Sequence, residues 1–543
     1  IKNDDTVHLL EEIWEDLRMA CKFGSLLRIE QKIEHAINQF KRSSQEVLWG
    51  NNDLTFWDEW KEKVFIRMKE ALQQYSKDTN GNIKFFKTKT QDSMLFADII
   101  SHKYDIAVAN PPYTYSGSYG KELKQFVSKN YKKPLSFYSN LYAEFLKRCS
   151  DLINENGKLG MIHPLTFMYI KSYVDIRKYI LNNFHINIFV EYGLSDLFGS
   201  IMVDPAIYVL EKDTYKNETL FISMNQYTRT PEENFKEEYT KNALKNYITG
   251  KDDKNIYLLN QEKLKLIEGY PFIYWISDNL REKFKETALD ELANVVLGMK
   301  TGDNNRLLRF WWEISKENIY DNTFKNDKKW APYAKGGPYN KWWGNLWLCV
   351  NWQNNGQEIR KTKNFNILPK KFTFLEGVTS STRGVKGINF RYLPSNSLFD
   401  MAASSIFTKN YLYYDLAFLN SKLNLYLINC LNPTVNKQPN DLKRLPFCFP
   451  QENLEKVISI SAKRNIEIKR HLCEFSMIEM IYQYNPVIWA KEKYPSLHIN
   501  ELLKAYFNYE NKLNTKLIRD TSLINELIFQ VYQLSEKDTE IIL

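Results

Sequence analysis

The sequence predicts an α/β protein built on a doubly wound sheet, with a helical segment before it and a mixed α/β domain and a helical region after it. Three observations predict this. Between residue 81 and about 212, short apolar runs bounded by turn residues alternate with stretches of helical periodicity, which is the pattern of βαβ units. From about 287 to 450, aromatics, Gly-Gly and Gly-Pro turns and Asn clusters replace long helical repeats. Beyond 451 the helical period returns, with Ile524, Ile528 and Val531 on one face. The expected division is therefore 1–80 helical, 81–285 α/β, 286–450 mixed α/β and 451–543 helical. A chain of 543 residues is too long for one core.

Taken in order, Leu10, Ile13, Leu17 and Ala20 fall at helical spacing, as do Val64, Met68, Ala71 and Leu72. Lys77-Asp78-Thr79-Asn80-Gly81-Asn82 reads as a turn and Asn82–Lys87 as a strand. Tyr104–Ala109 (YDIAVA) is a short apolar run, expected to be a buried strand, stopped by Asn110-Pro111-Pro112. An amphipathic helix is expected over 137–153. After the Asn156-Gly157 turn come a strand at Lys158–Ile162, a helix near 171–182, and strands at Ile186–Tyr192 and Ala206–Leu210. Residues 213–285 are polar and lysine-rich and read as a connection.

Composition excludes little. Net charge is +9, from 74 basic and 65 acidic residues, which permits an anionic partner without requiring one. The aromatic share of 15% fits either base-stacking surfaces or the codon bias of an AT-rich genome. Charge is more telling by position. From Arg360 to Arg391 eight basic residues (Arg360, Lys361, Lys363, Lys370, Lys371, Arg383, Lys386, Arg391) stand against Glu376 alone, interleaved with Phe365, Phe372, Phe374 and Phe390. A solvated surface gives such a run, and so does nucleic-acid contact. The six cysteines form no CxxC pair and the seven histidines show no ligand spacing, so no metal or disulfide framework is expected. No apolar run reaches membrane length and no signal peptide is visible, so the expected setting is cytoplasmic, with no membrane partner.

Asn110-Pro111-Pro112-Tyr113 directly follows a strand pattern. By composition an NPPY arises in such a chain on the order of a few times in a thousand. It could be a plain turn, but the carboxyl end of a strand in a doubly wound sheet is where ligands bind. These residue types suit an exocyclic amino group. The lone pair of such a nitrogen is delocalised into its ring. The Asn110 side-chain oxygen and the Pro111 carbonyl can accept its two hydrogens, favouring a pyramidal nitrogen with an available lone pair. The prolines fix the backbone and remove competing N–H donors. Tyr113 can stack on a base swung out of a duplex.

NPPY after a strand resembles motif IV of the gamma-class amino methyltransferases. Gln91-Asp92-Ser93-Met94-Leu95, with Asp92 lying 18 residues before Asn110, resembles the acidic turn of that family. Asp92 is the implied contact to the adenine of S-adenosyl-L-methionine, with Asp98 second and a plain surface acid the alternative. Gly157–Ile162 followed by Pro164 resembles the family's next strand. Asp196-Leu197-Phe198-Gly199 resembles the segment whose aromatic closes on the flipped base, which makes Phe198 a base-stacking candidate, or else a core phenylalanine. The family's glycine-rich cofactor turn has no counterpart: Gly24, Gly50 and Gly81 are the only glycines before Asn110. The first strands of the Rossmann-like sheet are accordingly expected to be missing from the chain, and with them tight cofactor binding by this chain alone.

Further on, Gly298-Met299-Lys300-Thr301-Gly302-Asp303-Asn304-Asn305-Arg306, Lys335-Gly336-Gly337, Lys341-Trp342-Trp343-Gly344-Asn345, Val350-Asn351-Trp352, Phe418-Leu419-Asn420-Ser421-Lys422 and Leu431-Asn432-Pro433-Thr434 resemble the recognition domain of the PglX methyltransferases of BREX phage-defence systems. In this order the strings are fairly specific, and the resemblance covers nearly the whole chain. It implies methylation of adenine N6 in double-stranded DNA, in concert with other BREX proteins. Lys300, Thr301, Arg306, Lys335, Lys341 and Arg383 are the implied DNA contacts. The competing readings are an NPPY enzyme acting on RNA or on a protein amide, a specificity subunit without turnover, and a restriction-methylation fusion, although no PD…ExK signature is present.

Overall fold

The computed structural model describes residues 102–193, 203–212, 218–225, 235–321, 328–382, 384, 386–434 and 436–543, and scattered positions among 23–31, 66 and 95–100. Most of the expected N-terminal helices, the strand at Asn82–Lys87, and Asp92, Asp98, Phe198 and Arg383 lie outside these residues. The chain divides into two compact units, Ile1–Lys265 and Leu266–Leu543.

In the first unit the described strands are β1 (Tyr104–Ala109), β2 (Ile153–Pro164), β3 (Phe184–Glu191), β4 (Pro205–Lys212), β5 (Thr219–Ser223) and β6 (Ile256–Leu259), in the order β1-β2-β4-β3-β5-β6. β1 and β2 are parallel, as are β3 and β5, while β4 runs antiparallel between β2 and β3. The helices are α1 (Lys121–Tyr131), α2 (Leu141–Leu152), α3 (Val174–Asn183) and α4 (Phe235–Ile248). This is the expected mixed α/β sheet, with the carboxyl ends of β1, β2, β3 and β5 along one edge. Its local causes are plain. β2 alternates, with Leu159, Met161 and His163 turned inward. α2 starts where the Asn140 side chain accepts the Tyr142 N–H.

Two expectations are corrected. β1 is not buried: Ile106 and Val108 are 65% and 79% exposed, because among the described residues β1 is the edge strand, paired only with β2. Nor is 213–285 merely a connection, since β5, α4 and β6 fall inside it. Their lysines mostly face solvent, whereas Leu220, Ile222 and Ala243 enter a core with Val190 and Tyr192.

The second unit holds two sheets. One orders β13 (Leu398–Phe399), β9 (Trp330–Ala334), β10 (Leu348–Asn351) and β8 (Leu308–Phe310). The other orders β12 (Asn389–Leu393), β11 (Gly377–Ser381), β14 (Ser405–Thr408) and β7 (Ala293–Val296). Helices α5 (Leu412–Asn420), α6 (Lys422–Leu431), α7 (Glu452–Cys473) and α8 (Ile499–Val531) share one apolar core with these strands. Ile524 and Ile528 are buried in it as the periodicity predicts, with Val531 packed against it. Among the described residues no helix is long and apolar enough to cross a membrane.

Candidate active site

The β1–β2 register places Ala109 opposite Met161, so Asn110 leaves the sheet at its carboxyl edge. Asn110 is exposed, Pro111 buried and Tyr113 half-buried. The Tyr113 hydroxyl donates to Asn110 Oδ1 at 3.2 Å, and burial raises the tyrosine's pKa. The motif thus forms a loop that exposes Asn110 and Pro112 and tucks Pro111 inward. The chain after it is zipped to the start of α2. Leu141 N donates to the Thr114 carbonyl at 3.0 Å, Ser116 N donates to the Ser139 carbonyl at 3.2 Å, and Tyr115 bridges Asn140.

Behind this loop sits a pair that motif reasoning missed. The Tyr119 hydroxyl donates to both oxygens of the fully buried Glu144, at 3.0 and 3.1 Å. Burial pushes the Glu144 carboxyl up to about 8, opposed by the Tyr119 hydrogen bond. His163 is buried under the Tyr142 ring (centroids 4.4 Å apart) and bonds the Tyr208 hydroxyl at 2.7 Å; burial lowers its pKa to about 4. A neutral imidazole so enclosed is part of the packing.

Glu144 makes stability pH-dependent in a definite direction. Its folded pKa lies above the ordinary 4.5, so between about 4.5 and 8 the folded chain keeps a proton that the unfolded chain releases. Stability from this group is complete at low pH and is lost as pH rises through 8. Denaturant unfolding of the first unit at pH 6 and 8.5 should show a fall for the wild type and a flatter response for Glu144→Gln. An undiminished fall in the variant would assign the dependence to another group.

In the second unit the candidates separate. Lys300 is exposed, and its backbone exchanges two hydrogen bonds with Asn366 at 2.9 Å. Thr301 is buried, its hydroxyl donating to Asn304 Oδ1 at 2.7 Å. Lys335 lies 3.8 Å from Asp400, whose carboxylate also accepts the Tyr333 hydroxyl. The backbone of Met299 bridges Asp400, and a Cβ on Gly298 would strike the Asp400 carbonyl. Lys335 thus touches this junction, and Lys300 and Thr301 directly follow Met299 in the chain. Arg306 stands nearby, within 3.9 Å of both Asp303 and Glu358. Lys341 points elsewhere: its ammonium donates to the Asn420 carbonyl at 2.7 Å, and burial lowers its pKa to about 8. The Arg360–Arg391 run is likewise not one surface, because Arg391 is buried and bonded to Ser381 Oγ and Asn389 Oδ1. A charge count cannot tell such cations from exposed ones.

Residues 12–198, which include the NPPY loop, match the model of the Eco57I restriction-modification methylase. The adenine-specific methyltransferase BrxX of Escherichia coli O9:H4 (strain HS) is 30% identical over 451 residues, 81% of this chain and 35% of its own. The chain is a relative of adenine-specific methyltransferases. A second such relative, PglX of Lacticaseibacillus casei (strain Zhang), is 30% identical over 374 residues, 64% of this chain and 30% of its own. The chain spans about a third of the length of these two methyltransferases. Among solved structures, the Type IIL restriction-modification enzyme MmeI in complex with DNA aligns at TM-score 0.48 and 13% identity, covering 80% of this chain and 55% of its own.

Proposed function

We propose that this chain carries the catalytic loop and the target-reading part of a site-specific DNA methyltransferase acting on adenine N6, marking host DNA alongside other BREX proteins. The observation that carries the reading is the NPPY loop, open to solvent at the carboxyl edge of the sheet, in a chain related to adenine-specific methyltransferases. An adenine swung out of the duplex would place its amino group against Asn110 Oδ1 and the Pro111 carbonyl, in exchange for the Tyr113 hydroxyl now held there. Two acceptors on the two hydrogens localise the nitrogen lone pair, and the Tyr113 ring lies beside the base plane. The catalytic terms are orientation and fixed dipoles. S-adenosyl-L-methionine is the methyl donor this reading implies, supplying an electrophilic sulfonium methyl. Among the described residues no glycine-rich turn forms a cradle for it. Lys335 at Asp400, with Lys300 and Thr301 directly following Met299, supports DNA reading by the second unit.

The test is transfer of a labelled methyl group by the full-length protein to unmethylated duplex, followed by digestion to nucleosides. N6-methyladenine at a single sequence context is the expected product. Label in RNA or in protein, or no transfer at all, would sink the proposal.

A further inference from the structure

The helix following the NPPY loop carries a surface that the proposed reaction does not use. α1 is two-faced. Inward, the Phe126 ring stacks on Phe23 with centroids 4.2 Å apart, Val127 and Tyr131 are buried, and the Tyr131 hydroxyl donates to the Leu26 carbonyl at 2.7 Å. Outward, Lys124, Gln125, Ser128 and Lys129 join Tyr138 in lining an open groove of about 420 Å³. Lys121, Lys132 and Lys133 extend the same basic stretch, and Glu122 is the only acid between residues 121 and 138. Lys132 places its ammonium 5.7 Å from the centre of the Tyr138 ring. All five lysines are exposed, and none forms an ion pair with a described residue. Five cations against one acid on thirteen residues make a positive face that favours an anionic partner spanning it.

We propose that this face of α1 grips the phosphate backbone of the duplex beside the extruded base, an inference that rests on the methyltransferase reading. Position favours it. α1 begins eight residues after Tyr113, and Thr114 and Ser116 are tied to Leu141 and Ser139, so the helix is fixed with respect to the catalytic loop. Shape favours it as well. Lys124 and Lys129 line one groove, so a single anionic backbone laid in it can meet both. Gln125, Ser128 and Tyr138 add uncharged donors of the kind that position a backbone without reading its sequence. The grip fixes register; base choice belongs to the second unit.

Fluorescence anisotropy of the full-length protein on duplex DNA, over a series of KCl concentrations, tests this together with the methyl-transfer assay. Lys124→Gln with Lys129→Gln should weaken binding to methylatable and scrambled duplexes alike. The log-affinity against log-salt slope should flatten by about 2, roughly one per lost phosphate contact. The paired Arg variants should keep the wild-type slope, and the methylated sequence should not change. An unaltered slope in the Gln pair, on a wild type that binds and methylates duplex, overturns the grip and leaves the enzyme reading standing. The same holds if the pair alters the slope on duplex RNA alone. Conversely, a slope that depends on the pair in a wild type that makes no N6-methyladenine sinks the enzyme reading and leaves the grip.

Discussion

Asn110→Ala should slow methyl transfer by about a hundredfold to a thousandfold while leaving duplex affinity within a few-fold of wild type. The asymmetry follows from where the amide acts. In the free protein Asn110 Oδ1 accepts the Tyr113 hydroxyl, 3.2 Å away, and no other group among the described residues, on an exposed loop, so its loss removes little folding energy. In the transition state the same oxygen would stabilise charge growing on the amino hydrogens, and deleting one such preorganised partner costs about 2.7–4 kcal/mol in other enzymes. Asn110→Asp is the sharper companion, because it keeps an acceptor of the same size but adds a charge. Single-turnover rates and equilibrium binding, measured on the same preparations, decide the matter. A wild-type rate for Asn110→Ala would remove this residue from the chemistry.

Phe418→Ala should destabilise the second unit by about 3–5 kcal/mol, the usual cost of removing a buried aromatic. Phe418 is fully buried on α5, its ring stacked on Tyr532 with centroids 5.3 Å apart and edge-on to Phe447 at 6.3 Å. Tyr532, just beyond α8, donates its hydroxyl to the Pro446 carbonyl at 2.8 Å. Removing one ring therefore opens a cavity between the strand-bearing part and the C-terminal helices together. Hydrogen exchange should rise at 524–532 as well as at 412–420. A loss below ~1 kcal/mol, with protection unchanged at 524–532, would mean that the helices fold independently. Removing residues 287–450 would strip α7 and α8 of the core they share with those strands, so point variants are the better probes of recognition.

What the residue pattern revealed depended on how local each cause is. β2, α2, α3, β3 and β4 announced themselves because period and turn chemistry lie within one element. The NPPY motif was equally readable as a loop after a strand, because its four residues are consecutive. α1 went unread because three lysines, a glutamate and a glutamine obscure the stripe of Leu123, Phe126, Val127 and Tyr131. The same bias hid α4 and its flanking strands inside a lysine-rich stretch. Burial was the weakest inference. Ile106 and Val108 look like interior strand residues, yet both are exposed, on a strand that pairs with β2 alone among the described residues. Lys341 and Arg391 fail in the opposite sense: both are cations turned inward, one toward the Asn420 carbonyl and the other between Ser381 and Asn389.

The hydrogen bond between Tyr113 and Asn110 has one more effect. A hydroxyl can donate only to the oxygen end of an amide, so the bond holds Oδ1 outward and the NH₂ end away. A base entering this loop therefore meets lone pairs. Thymine and guanine present a keto oxygen where adenine presents its amino group, and lone pairs would face lone pairs across a gap that water has left. Cytosine, with its own amino group, escapes that repulsion. In the proposed reaction the loop would thus sort amino from keto bases by the exocyclic group alone, and the choice of adenine over cytosine would fall to whatever surrounds it.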